Sequence, residues 1–114
     1  MTVVSRQYEK ALAELVCAIV SIEFGIPTAD LLSRTKGPAH MSYARQVAMY
    51  LMHVVFQIRI AGVGRAFGRD PSTASYACRI IEDERENTLF DHKLQILEEL
   101  LNSTAILRKI RNAA

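Results

Sequence analysis

Between Ile60 and Ile81 the chain sets out hydrogen-bonding side chains in a pattern suited to reading base edges. Ile60, Val63, Ala66 and Phe67 predict a short helix with one apolar face, followed by a tight turn at Gly68 and Arg69. Asp70 and Pro71 then suit the N-cap and first position of a second helix running to about Glu86. Two short helices joined by a glycine-containing turn are the layout of a helix-turn-helix. At about 100° per residue, Ala74, Ala77, Cys78 and Ile81 share the face that packs on the first helix. Ser72, Ser75, Tyr76 and Arg79 share the opposite face, with lengths and polarity that reach donors and acceptors in a major groove. Asp70 has two candidate jobs. As a cap it accepts from the backbone N–H of Ser72 or Thr73, the role expected in the free protein; as a reader it accepts from a cytosine amino group. The acidic run Glu82-Asp83-Glu84-Arg85-Glu86 begins where such a helix would leave the groove, and reads as a solvated end.

No other group is spaced for chemistry. His53 stands in an apolar helix and reads as a hydrogen-bonded core or boundary residue. Neither His40 nor His92 lies at metal-ligand spacing from it or from a cysteine, so no metal site is expected. Cys17 and Cys78 fall in apolar stretches, which predicts two buried thiols in a reducing compartment. There is no Ser/His/Asp or Cys/His arrangement, and no GxxxxGK[ST] loop to cradle a triphosphate. An enzyme, a cofactor and a bound nucleotide are all excluded on this reading.

Helices must position these residues. The breakers are sparse, and the long intervals between them show helical periodicity without sustained alternation. The fold is read as all-α, a compact domain of about five to six helices. A first helix from about Ser5 to Phe24 buries Leu12, Leu15, Val16, Ile19 and Ile22 and ends at Gly25. Pro27 begins a short turn of helix through 29–33, and the basic loop Arg34-Thr35-Lys36-Gly37-Pro38 follows, with too few apolar residues for core. Ser42 is the expected N-cap of a helix over about 43–56, apolar nearly all round and therefore central. A last helix over about 91–111 carries Leu94, Leu97 and Leu101 on one side and Ile96, Leu100 and Leu107 on the other. One side packs on the domain; the other meets the first helix or makes a symmetric contact, and a homodimer is the expectation.

With 114 residues, half of them hydrophobic and 23% charged, the chain fits a single domain over 1–114. The net charge of +2 identifies no partner, but its distribution is uneven. Arg34, Lys36 and Arg45 occupy a stretch without an acid, and Arg59, Arg65, Arg69 and Arg79 share theirs with Asp70 alone. The opening Met1-Thr2-Val3-Val4-Ser5-Arg6 lacks the order of a signal peptide. The longest stretch without Lys, Arg, Asp or Glu, the thirteen residues from Gln46 to Ile58, is too short for a membrane span. A cytoplasmic location is expected.

Four motifs occur in order: Ala29-Asp30-Leu31-Leu32-Ser33; Arg45-Gln46-Val47-Ala48-Met49-Tyr50-Leu51; Val63-Gly64-Arg65-Ala66-Phe67-Gly68; and Arg69-Asp70-Pro71-Ser72-Thr73 with Ala77-Cys78-Arg79. Together they resemble the C-terminal DNA-binding domain of DnaA, the bacterial chromosomal replication initiator, over about residues 10–105. The resemblance implies a Trp-repressor-like helical domain associated with the nucleoid, which binds double-stranded DNA with its recognition helix in the major groove. It implies that Arg45, the Arg of the Arg-Gln motif, enters the minor groove. Arg69, Asp70, Ser72 and Thr73 match the start of the recognition helix, and Arg34, Lys36 and Arg65 are assigned to phosphates. The chain departs from the family at Pro71, which replaces a base-contacting His, at Tyr76, which replaces a later His, and at Ile80, which replaces a Lys. It also has one glycine fewer in the turn. An altered or relaxed target sequence is therefore expected. The function implied is a sequence-specific DNA-binding protein without the initiator's ATPase domain, regulating transcription or replication initiation. The alternative is a protein-interaction module that kept the fold and lost the DNA, favoured by the same three substitutions and the modest charge.

Overall fold

The computed structural model describes residues 5–103. They form α1 (Arg6–Phe24), α2 (Thr28–Leu31), α3 (Ala39–Phe56), α4 (Ile60–Phe67), α5 (Pro71–Glu84) and α6 (Thr88–Asn102), with no strand among them. The domain is all-α, as the periodicity predicts.

The Ser5 hydroxyl starts α1 by accepting from the Tyr8 N–H at 3.1 Å, and Gly25 ends it at φ 68°. The buried stripe runs through Glu9, Leu12, Ala13, Val16, Cys17 and Val20. This is rotated from the expected face: Leu15 and Ile19 are only half-buried, and Ile22 is 84% exposed. α3 starts at Ala39 behind Pro38, without a side-chain cap, so Ser42 lies inside the helix rather than at its N-cap. The Pro38 carbonyl accepts from the Met41 N–H at 3.1 Å and the Ser42 N–H at 3.0 Å, so the helical bonding starts there without a hydroxyl.

From Val47 to Met52 every residue of α3 is buried, and α3 touches all five other helices. His53 is half-buried at its end, with Nδ1 2.7 Å from the Ile58 carbonyl. α6 begins earlier than predicted, where the Asn87 side chain accepts from the Phe90 N–H at 3.1 Å. Leu94, Leu97 and Leu101 are buried, while Ile96 and Leu100 stay half exposed. Leu107, and the predicted helix beyond 103, lie outside the described residues.

The acidic end of α5 is anchored and not merely solvated. Tyr43 Oη donates to Glu84 at 2.7 Å and Tyr50 Oη donates to Glu82. Arg85 bonds Asp91 at 2.6 Å, Glu98 at 2.8 Å and the Tyr50 hydroxyl at 3.0 Å, which joins α5, α6 and α3. Burial, and then the bond to Glu82, push the Tyr50 phenol from 10.0 up to about 12. Between those values the unfolded chain releases a proton that the folded chain keeps, so stability falls as pH rises through that window. Tyr50→Phe should flatten this fall. Urea unfolding at neutral and alkaline pH checks it, and an unchanged slope would remove Tyr50 as a source.

Candidate nucleic-acid interface

α4 meets α5 through Gly68, Arg69 and Asp70. Gly68 adopts φ 65°, its N–H donates to the Arg65 carbonyl at 3.2 Å, and the Arg69 N–H donates to the Gly64 carbonyl at 2.7 Å. These two bonds close the helix end and reverse the chain. The approach needs Gly64, because a β-carbon there would stand 2.7 Å from the Arg69 carbonyl oxygen.

Asp70 occupies the N-cap with φ −65° and ψ 150°, but its side chain makes no capping bond. The expected side-chain cap is not formed. Pro71 has no N–H to offer, and the Thr73 N–H goes to Asp70's own carbonyl at 3.0 Å. The Asp70 carboxylate is thus left on the exposed surface. Along α5, Ala74, Ala77 and Ile81 are buried, with Cys78 half-buried. Pro71, Ser72, Thr73, Ser75, Tyr76 and Arg79 are exposed, with the Arg79 guanidinium 5.6 Å from the centre of the Tyr76 ring.

Beside the start of α5 runs the basic loop, held by two guanidinium groups. Arg45 comes from α3 and is 3% exposed. Its Nε donates to the Leu31 carbonyl at 2.8 Å, Nη2 to Asp30 at 2.8 Å and Nη1 to Lys36 at 3.0 Å. Arg69 comes from the turn: Nη1 donates to the Ser33 and Phe67 carbonyls at 2.7 Å, and Nη2 to Thr35 at 3.1 Å. The resemblance assigns Arg45 to the minor groove; here its guanidinium is turned inward with all three nitrogens engaged. Arg34 and Lys36 remain exposed.

A cleft of about 360 Å³ separates this loop from α5, lined by Arg34, Lys36, Arg45, Arg69, Gln46, Thr73 and Tyr76 among others. Among the described residues none of these four cations has a carboxylate within ion-pair distance. Burial, then the Arg69 charge, hold the Arg45 pKa below its ordinary value; burial, then Arg34, do the same to Arg69. Like charges gathered with no ion-paired carboxylate favour an anionic ligand.

Arg65 stands differently. It forks onto Glu9 of α1, with Nε–Oε1 3.1 Å and Nη2–Oε2 3.0 Å, so its charge already has a partner and ties α4 to α1. Gly62 leaves the room for Glu9, whose carboxylate a β-carbon there would strike. The sequence did hold a signal for this pair: Glu9 is in phase with Leu12 and Val16 on the buried stripe, and a carboxylate there requires a cation. Burial raises the Cys17 and Cys78 thiols to about 12 and about 11, well away from reactive values. Among the described residues no His/Cys/Asp/Glu cluster could hold a metal ion, and no helix is long and apolar enough to cross a membrane.

The chain is similar to known proteins. The family model described as bacterial dnaA protein helix-turn-helix matches residues 13–81. The chain is 36% identical over 103 residues to the chromosomal replication initiator protein DnaA of Ralstonia nicotianae, covering 89% of this chain and 19% of that one. The DnaA proteins of Ralstonia pickettii and Burkholderia multivorans match to the same extent. The crystal structure of a DNA replication initiation factor superposes with a TM-score of 0.72 at 29% identity, over 84% of this chain and 30% of that one. The chain thus spans about a fifth of the length of the curated relatives it matches.

Proposed function

The chain belongs to the bacterial DnaA helix-turn-helix family, and we propose that it binds double-stranded DNA sequence-specifically, with the exposed face of α5 in the major groove. The observation that supports this most is the cationic cleft without carboxylate partners beside the recognition helix. Arg34 and Lys36 lie along the sugar-phosphate backbone. Ser72, Thr73, Ser75, Tyr76 and Arg79 meet base edges, and the uncapped Asp70 accepts from a cytosine amino group. Arg65 adds a phosphate contact only as far as Glu9 releases it.

The role is regulatory, at promoters or at replication origins in the nucleoid, and these 114 residues carry no loop for a triphosphate. Pro71 is exposed at the first position of α5, where it costs the helix nothing but offers no polar atom beyond its carbonyl. The preferred sequence is therefore one that differs from the initiator's own box or relaxes it. Two copies meeting on Ile96 and Leu100 would double the phosphate contacts.

Selection from random duplex DNA, followed by titration between about 50 and 200 mM salt, tests the reading. The affinity for the selected duplex should fall steeply with salt, by about 0.9 in log–log slope per phosphate neutralised. Arg34→Ala with Lys36→Ala should lower that slope by about 1.8. Light scattering of the same mixtures reads the dimer from the mass. A protein that enriches no sequence and binds no duplex at low salt would leave the protein-interaction alternative.

A further inference from the structure

We propose that Arg45 and Arg69 are positioning residues for DNA binding: they fold the 30–37 segment around their guanidinium groups, so that Arg34 and Lys36 address the duplex that α5 reads. The proposal rests on the DNA-binding reading above and names what makes its phosphate contacts possible.

Hydrophobic anchoring of this loop ends with the buried Leu31 and the part-buried Leu32, and every residue from Arg34 to His40 is exposed. Its own bonds are local and small, the Ser33 and Thr35 hydroxyls at 2.9 Å and the Thr35 N–H to Ser33 Oγ at 3.2 Å. The longer-range fastening comes from the two arginines. Between them they engage the carbonyls of Asp30, Leu31, Ser33, Thr35 and Lys36, and Arg69 also bonds Phe67 at the end of α4. Loop, turn and central helix therefore share one set of bonds.

The chemistry suits arginine and not lysine. A planar fork of five N–H donors can bridge carbonyls that lie in different directions; an ammonium on a single stem cannot reach them together. The acceptors are neutral carbonyls rather than carboxylates. Fastening the loop thus leaves both positive charges without an ion pair, and they add to the attraction the cleft exerts on a phosphate.

Arg45→Lys and Arg69→Lys keep the charge and remove the fork, which separates positioning from direct contact. Each should lower the salt slope of DNA binding towards that of the Arg34→Ala/Lys36→Ala protein, a drop of up to about 1.8. Neither should weaken binding further once Arg34 and Lys36 are already alanine. Trypsin should also cut faster after Arg34 and Lys36 in both lysine variants, with fragments read by mass spectrometry. An Arg45→Lys protein with unchanged slope and affinity would overturn the proposal, since charge alone would then suffice. So would losses that add in full to those of the double alanine variant, the signature of a separate contact. If Arg45→Lys does not fold by circular dichroism, Arg69→Lys, with its less buried side chain, carries the same comparison. Should the unaltered protein bind no duplex, the DNA reading fails by itself. The proteolysis comparison still decides whether the two forks hold the loop.

Discussion

Gly64→Val is expected to lower folding stability by about 3 kcal/mol, the upper end of what overpacking costs. The first added carbon alone would stand 2.7 Å from the Arg69 carbonyl oxygen and 3.3 Å from the Asp70 carbonyl carbon and oxygen. Those neighbours are backbone, so no rotamer change relieves the contact; either α4 shifts on α5 or the turn opens. Both movements carry Arg69 away from the Ser33 and Thr35 carbonyls, so the loop and α5 lose their alignment together. Gly25→Ala is the control. Gly25 has φ 68° with nothing within 4 Å of the added carbon, so only backbone strain of about 1 kcal/mol is expected. Urea unfolding of both variants makes the comparison. A Gly64→Val protein within about 0.5 kcal/mol of the parent, the range of an ordinary surface substitution, would mean that the close approach is not required.

Arg85→Ala should cost about 2–3 kcal/mol. Removing one partner of a fully buried ion pair costs about 3–5 kcal/mol, and here the carboxylates of Asp91 and Glu98 keep 32% and 20% side-chain exposure, so water offsets part of the loss. The Tyr50 hydroxyl loses a donor in the same substitution. Because much of the penalty is the stranded charge on Glu98, adding Glu98→Gln should restore part of the stability. Denaturant midpoints of the single and double variants decide this; strictly additive losses would show that Arg85 acts through packing of its stem instead.

The helix-turn-helix was legible because its signals are local. Gly68 stops one helix, Pro71 starts the next, and the alanines at 74 and 77 mark the face that must pack closely. Local rules failed where the partner was remote or the rule had a rival. Ser42 looked like a cap, but Pro38 starts the helix earlier without one. Asp70 sits at the cap position, yet its own carbonyl takes the N–H that its side chain would have claimed. The inward turn of Arg45 could not be read from spacing, because its acceptors are backbone carbonyls, which every residue possesses. Only the path of the loop brings those of 30, 31 and 36 to one place. The acidic run of 82–86 looked solvated because its tyrosine partners lie 41 and 32 residues upstream.

The burial of α3 on all sides has a consequence for how the domain comes apart. A helix that touches all five others cannot leave while they remain packed, and α1, α5 and α6 each lose their most extensive packing partner once it has gone. The described residues should therefore unfold in one all-or-none step rather than in pieces. Partial opening is confined to segments that lean on α3 through polar bonds alone, foremost the basic loop. The surface proposed to meet DNA would then have its own local equilibrium, and loosening it would leave the melting temperature of the domain nearly where it was.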